Sequence, residues 1–239
     1  MAMTRIPRRR LERGRAVDRD RFVVQACRAR RVLHVGCADH PFTEAKFETG
    51  DLLHQKLMAV AADVAGIDRN RAAVDWLGQR GVGNLHVADA EAGAELVQAI
   101  GFRPEVVVAG EILEHLSRPF DFLLAMRDLL SDGAELIVSV PNAFCIERTL
   151  MVLVGIEKTH PEHVAYYSPY TLQELLRRAG LAIVEIAPCH YPTSGHAGAG
   201  YRLQRAVTEG LQQPLRWAFP HLAPGYVLRA IPAASPPPV

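Results

Sequence analysis

Val32-Leu-His-Val-Gly36 and Gly66-Ile-Asp68 are the two stretches on which the reading of this chain turns. Residues 31–36 form a short apolar run closed by glycine, the pattern of a buried strand ending in a tight turn. Residues 64–68 repeat the pattern and close on an acid. Between the two runs, Leu53, Leu57, Val60 and Val64 recur at helical spacing, which predicts an amphipathic helix over 51–63. The rest of the chain continues the alternation. Further helices are predicted over 18–27, 70–80, 91–100, 119–130 and 168–180, and strands over 84–87, 105–109, 134–140, 181–186 and 225–231. Proline opens the helix at Pro119, and Gly81, Gly133 and Gly180 close three others. Strands alternating with helices of this length predict an α/β fold, a mostly parallel sheet with helices on both faces.

The 239 residues are enough to bury one such core without a disulfide or a structural metal. Cys27, Cys37, Cys145 and Cys189 are widely spaced and form no CxxC pair, so reduced, buried thiols and a cytoplasmic location are expected. No apolar run approaches the 18 or more residues of a membrane span; the longest, 150–156, is far shorter. The arginine-rich N-terminus has no apolar core behind it, unlike a signal peptide. Eleven arginines fall within residues 1–31 against Glu12, Asp18 and Asp20, which leaves the remainder acidic. The expected organisation is a basic arm over 1–17, one domain over 18–231 with a helical insertion at 193–222 before the last strand, and a proline-rich tail over 232–239. Such an arm can meet nucleic acid, a membrane surface or an acidic partner, or stand solvated. The absence of any aromatic residue before Phe22 favours the solvated reading.

Three features carry chemistry in chain order. Gly36 lets the backbone turn sharply and approach a ligand. Asp68, 32 residues on, ends the second strand, where an acid can accept from both ribose hydroxyls of a nucleotide-like cofactor. Asp89 follows the third strand, where a carboxylate can accept from an adenine amino group. An acid at a strand end is also a common helix cap. Three in order, at the edge where open sheets bind ligands, point to a cofactor site.

With these residues, and with Gly110-Glu-Ile-Leu-Glu-His115, Leu129-Leu-Ser-Asp-Gly133, Ser139-Val-Pro-Asn142 and His163, residues 31–187 resemble the class I S-adenosylmethionine methyltransferases. The resemblance is closest to the branch holding the ubiquinone-biosynthesis O-methyltransferases and many small-molecule methyltransferases. It implies a Rossmann-like, seven-stranded, mostly parallel sheet with an antiparallel last strand. It also implies that Gly36, Asp68, Asp89 and Gly110 bind S-adenosylmethionine. The family has glycine at three alternate positions of the first loop; here Ala38 and His40 replace two of them. Alanine restricts positive φ, and His40 adds bulk beside the expected cofactor. A dinucleotide dehydrogenase normally needs the full GxGxxG and ranks well below methyl transfer.

Glu111, Glu114 and His115 fall at i, i+3 and i+4, one face of a helical turn. Two carboxylates and an imidazole there, with His163 as a fourth ligand, form a candidate divalent-metal set for Mg²⁺. The resemblance extends to enzymes in which a metal grips adjacent hydroxyls. The metal-free alternative makes His115 or His163 a general base, with Glu111 a further catalytic candidate. A third reading leaves Glu114 and His115 as helix-start packing. Tyr166 and Tyr167, behind His160-Pro-Glu-His163, sit where the family places substrate-facing groups, though half-buried packing fits them equally. Residues 142–158 are expected to form a helix over the active site. The leading functional expectation is O-methylation of a hydroxyl on a small metabolite, a sugar or an aromatic natural product. The alternatives are an RNA 2′-O-methyltransferase and a methyltransferase-fold partner subunit without catalysis.

Overall fold

The computed structural model describes residues 10–11, 14–90, 100–192, 210, 214–215 and 217–234. The elements run β1 Val17–Asp18, α1 Arg19–Cys27, β2 Arg31–Val35, α2 Thr43–Glu48, α3 Leu53–Met58, β3 Asp63–Asp68, α4 Arg71–Gln79, β4 Leu85–Val87 and β5 Val106–Gly110. They continue with α5 Pro119–Leu129, β6 Glu135–Pro141, α6 Ile146–Leu153, α7 Pro169–Arg178, β7 Leu181–His190 and β8 Gly225–Pro232. The strands form one sheet in the order β1-β7-β8-β6-β5-β2-β3-β4. All pairings are parallel except those of β8, which runs antiparallel to β6 and β7. This is the expected Rossmann-like sheet with one strand more, because Val17 and Asp18 pair with Cys189 and His190 at its edge. The helix expected at 91–100 and most of the insertion expected at 193–222 lie outside the described residues.

Strands β2 and β5 lie side by side at the centre. Val32, Leu33, Val35 and Val106 to Ala109 are all buried, as continuous apolar runs should be when helices cover both faces. On one face, α5 and α7 pack Phe122, Leu123, Met126, Leu172 and Leu176 against the sheet. On the other, Val23 and Cys27 of α1 and Leu53 and Leu57 of α3 do the same. The helix starts follow the sequence. Asp18 accepts from the Arg21 N–H at 2.7 Å, and Asn70 accepts from the Ala73 N–H at 3.1 Å. Ser168 and Thr171 form a capping box ahead of α7. The antiparallel strand is stitched by Arg229, whose guanidinium takes both oxygens of Glu135 at 2.8 and 3.0 Å.

Two stretches differ from expectation. The helix expected over 51–63 is shorter: α3 stops at Met58, and the Ala62 N–H bonds to the Arg30 carbonyl. Val64 therefore belongs to β3, where its branched side chain fits the pleat. Over 142–158 only Ile146–Leu153 is helical, and it lines no part of the cavity described below. Its apolar side chains Val152 and Leu153 face solvent. All four cysteines are free and buried. Among the described residues no helix is long and apolar enough to cross a membrane.

Beneath β2 lies a pair that composition does not announce. His34 and His54 are buried and stacked, with Nδ1 atoms 3.2 Å apart. Burial lowers both pKa values, that of His54 to about 4, and the His54 ring and Arg19 add to the lowering at His34. The folded pKa lies below the unfolded value of 6.5, so the unfolded chain takes up protons first as pH falls. Stability is then lost between about pH 6.5 and 4. From pH 8 to pH 5 the His54 share is about 2 kcal/mol, roughly 4–8 °C in Tm for a chain of this size. Thermal melts of wild type and His54→Leu should show the acid-side drop shrink by that amount in the variant; an equal drop in both removes His54 as its source.

Candidate active site

The turn after β2 builds the first wall. The Gly36 and Cys37 N–H groups both donate to the Ile67 carbonyl, at 2.8 and 3.1 Å. Gly36 has φ +74, and a Cβ there would run into the Ile112 side chain. The second left-handed residue of the turn is Asp39, φ 54, which is ion-paired to Lys46; Ala38 is not among the left-handed residues. Alanine is therefore tolerated where the family has glycine. Its methyl is buried in a satellite core with Leu52, Ala73, Leu77 and Val82, away from the ligand side. His40 is exposed at the rim of the cavity.

Asp68 holds this turn. Its Oδ2 accepts from the Ala38 N–H at 3.0 Å and its Oδ1 from the Asn70 N–H at 2.9 Å. Each oxygen keeps capacity for one more donor, which suits two neighbouring hydroxyls. Asp68, Asp89, Gly36 and Gly110 all line one cavity of about 660 Å³ at the carboxyl ends of the central strands. That is where open α/β sheets bind ligands, at the point where strand order reverses.

The cavity wall beside Gly110 contains a residue the sequence reading missed. Arg19, the first residue of α1, is partly buried beside Gly110 and paired to Asp20 at 2.8 Å. Burial works against its charge, and Asp20, Glu111 and Tyr191 outweigh it. Its Nε is buried without a partner in the protein, and the residue lines the cavity. A lone arginine in a basic N-terminal stretch gives no sequence signal of this; the long-range packing of α1 on the sheet does.

The segment after β5 does not form the helical face expected of it. Glu111 has φ +55, which breaks the helical run, and only Leu113–His115 form a 3-10 turn. A 3-10 turn holds three residues, so the i, i+3, i+4 face is not built. Glu111 lines the cavity and accepts from the Ser139 hydroxyl at 2.9 Å. Burial raises its pKa against the pull of Arg19. Glu114 turns inward, fully buried, with both oxygens unpartnered. Burial, then the charge of Glu111, pushes its pKa well up. His115 stays half-buried on the cavity wall, its pKa lowered by burial and by His160. Burial, His115 and His160 bring His163 down to about 4.

The ligand-type side chains that converge here are His115, His160 and His163, their ligand atoms within 4.8 Å of one another. Among the described residues, Glu111 and Glu114 are outside that group, and His160 stands where two carboxylates were expected. Mg²⁺ demands oxygen ligands, so the expected four-residue Mg²⁺ set does not fit this arrangement. The tyrosines pack: the Tyr167 hydroxyl donates to the Leu113 carbonyl at 3.3 Å, and Tyr166 lies under the Arg148 guanidinium. Neither lines the cavity.

An open α/β sheet with a glycine turn behind β2 and an acid at the end of β3 is the arrangement of a nucleotide-cofactor site. The family model described as a methyltransferase domain matches residues 7–186, and the chain belongs to that family, the class I S-adenosylmethionine-dependent methyltransferases. Ubiquinone biosynthesis O-methyltransferases of Roseobacter denitrificans and Cereibacter sphaeroides are 27% identical over 183 residues and 28% over 177, respectively, each match covering 70% of this chain. The chain spans 66% of the length of these curated relatives. Among solved structures, a SAM-dependent methyltransferase from Archaeoglobus fulgidus aligns over 88% of this chain and 89% of its own, with TM-score 0.53 and 21% identity. Magnesium protoporphyrin IX methyltransferase of Synechocystis, solved with bound S-adenosylhomocysteine, aligns over 90% and 82%, with TM-score 0.56 and 14% identity. These two share the fold.

Proposed function

We propose that the protein methylates a hydroxyl oxygen of a small metabolite, a sugar or an aromatic natural product. The observation that carries this reading is one cavity lined both by the cofactor-type residues Gly36, Asp68, Asp89 and Gly110 and by His115. The names of the O-methyltransferase relatives support oxygen as the acceptor. S-adenosylmethionine, when bound, supplies a methyl already activated on a sulfonium. The residues present fit it: the Gly36 turn admits no Cβ, Asp68 offers two acceptors, and Arg19 brings a positive charge to the cavity wall beside Gly110. The remaining work is orientation and removal of one proton. His115 is neutral at neutral pH because its pKa is lowered, so it can accept that proton from an acceptor hydroxyl in the cavity.

The test is methyl transfer from labelled cofactor to a panel of catechols and sugars, with S-adenosylhomocysteine titration alongside. Wild type should turn over at least one panel class. His115→Ala should bind S-adenosylhomocysteine normally and lose about 10²–10⁴-fold in kcat. Transfer to RNA with strongly salt-dependent binding would move the acceptor to RNA. No S-adenosylhomocysteine binding would leave a partner subunit without catalysis.

A further inference from the structure

We propose that the buried His34–His54 pair aims a hydrogen-bond donor into the cavity: His54 fixes His34 as an Nε2–H donor, and that donor recognises the carboxylate of the cofactor's amino-acid end. His34 stands in the middle of the sheet, between Gly66 of β3 and Val108 of β5, and is both buried and part of the cavity wall. His54 comes from α3, is fully buried and does not line the cavity. The two rings are 14° from parallel, with Nδ1 atoms 3.2 Å apart. The contact has room because residue 66 is glycine: a Cβ there would meet His54 Cε1 at 2.8 Å.

The hydrogens follow from what surrounds the rings. Burial keeps both imidazoles neutral at neutral pH, so each carries one hydrogen, and a single hydrogen lies between the two Nδ1 atoms. If it belonged to His34, His54 would carry its own hydrogen on Nε2, which is buried without a partner. Buried N–H groups are almost never left orphaned, whereas acceptors sometimes are. The hydrogen therefore belongs to His54 Nδ1, and His34 Nδ1 accepts it. The hydrogen of His34 then sits on Nε2, the other polar atom of a ring that lines the cavity. Strand order says what it meets. Asp68 ends β3 and Asp89 follows β4, so with the adenosine assigned to those two acids the amino-acid end is left to the β2–β5 side. Arg19 lies beside His34 there, on the same cavity wall. A neutral donor next to a guanidinium suits a carboxylate and repels a cationic amino group. His54 is thus a positioning residue that acts only through His34. The inference rests on the cofactor reading of the cavity and not on the nature of the acceptor.

The experiment uses the full-length protein at neutral pH. Long-range proton–nitrogen NMR spectra of histidine-labelled wild type read the tautomers directly, with His34→Gln and His54→Asn assigning the signals. Hydrogens on His34 Nε2 and His54 Nδ1 are expected; the opposite arrangement, or a cationic ring, overturns the proposal. Calorimetric titration then compares S-adenosylhomocysteine with 5′-methylthioadenosine, which lacks the amino-acid end. His54→Leu should weaken S-adenosylhomocysteine binding about tenfold, as loss of one charge-assisted hydrogen bond does, and leave 5′-methylthioadenosine binding unchanged. His54→Asn keeps an N–H where the Nδ1–H stood and should recover most of that loss. His34→Gln, whose amide reaches the place of the Nε2–H, should bind S-adenosylhomocysteine better than His34→Leu does. The proposal is overturned by equal losses for the two ligands in His54→Leu, by unchanged S-adenosylhomocysteine affinity, or by no recovery in His54→Asn. If His54→Leu does not fold, the tautomers and the two His34 variants decide the matter. Wild type that binds neither ligand, with the tautomers as expected, would remove the cofactor reading itself.

Discussion

Asp68→Ala is expected to lose about 100-fold or more in S-adenosylhomocysteine affinity. Two hydroxyls donating to an ionised carboxylate contribute about 1.5–3 kcal/mol each, and about 2.7 kcal/mol is 100-fold in Kd. The loss has a second source. Asp68 also accepts from the Ala38 and Asn70 N–H groups, so its removal frees both the glycine turn and the start of α4. Asp68→Asn separates the two. The amide oxygen retains one acceptor in nearly the same place, so the turn should survive with a smaller affinity loss, about tenfold. Calorimetric titration paired with thermal melts reads both quantities. Asp68→Ala binding as tightly as wild type would place the cofactor elsewhere in the cavity.

Glu114→Gln is expected to make the protein more stable at pH 8 and to change little at pH 5. Glu114 is fully buried, its oxygens have no donor, and Glu111 adds a like charge close by. Its folded pKa is raised, so the folded protein keeps a proton that the unfolded chain releases above about 4.5. Its titration therefore costs nothing below that pH and progressively destabilises as pH rises toward the folded value. Glutamine keeps the shape and removes the titration. The gain at pH 8 should exceed about 1 kcal/mol, roughly 2–4 °C in Tm. A Tm at pH 8 that is unchanged or lower, or one that drops only when Mg²⁺ is present, would mean that the carboxylate is ionised and balanced by a cation. That outcome would restore the oxygen-rich metal set expected from the sequence.

The two predictions lie on opposite sides of what the sequence could show. Asp68 was legible because its role depends on local order: a strand, its last residue and the turn beside it. Backbone pairing fixes where the end of β3 lies relative to the end of β2, so an acid there must face the glycine turn. The same holds for Gly36, whose φ of +74 is a local demand that glycine meets without strain. Even the alanine that departs from the family pattern became interpretable only through packing, since its methyl is accommodated by Leu52, Ala73 and Leu77.

Glu111, Glu114 and His115 were not legible in the same way. Their spacing fits one face of a regular helix, and the inference from spacing to a shared site holds only where the helix is regular. The left-handed backbone at Glu111 ends that regularity, and no residue type at this position announces it. One carboxylate then faces Arg19 and Ser139, the next is buried, and the imidazole reaches the cavity. His115 meets His160 and His163 across 45 and 48 residues of chain, and Arg19 reaches Gly110 across 91.

Taken alone, the sequence determined the alternation of strands and helices, the place of the cofactor turn and the acid behind it, and the family. Those follow from periodicity and from residues whose neighbours in space are fixed by adjacent strands. The tertiary structure alone decided which imidazoles meet, which carboxylate is stranded in the core, and which arginine backs the cavity. Those depend on how helices and loops distant in the chain dock onto the sheet, where side chains packed from several elements, rather than spacing along one, set the contacts.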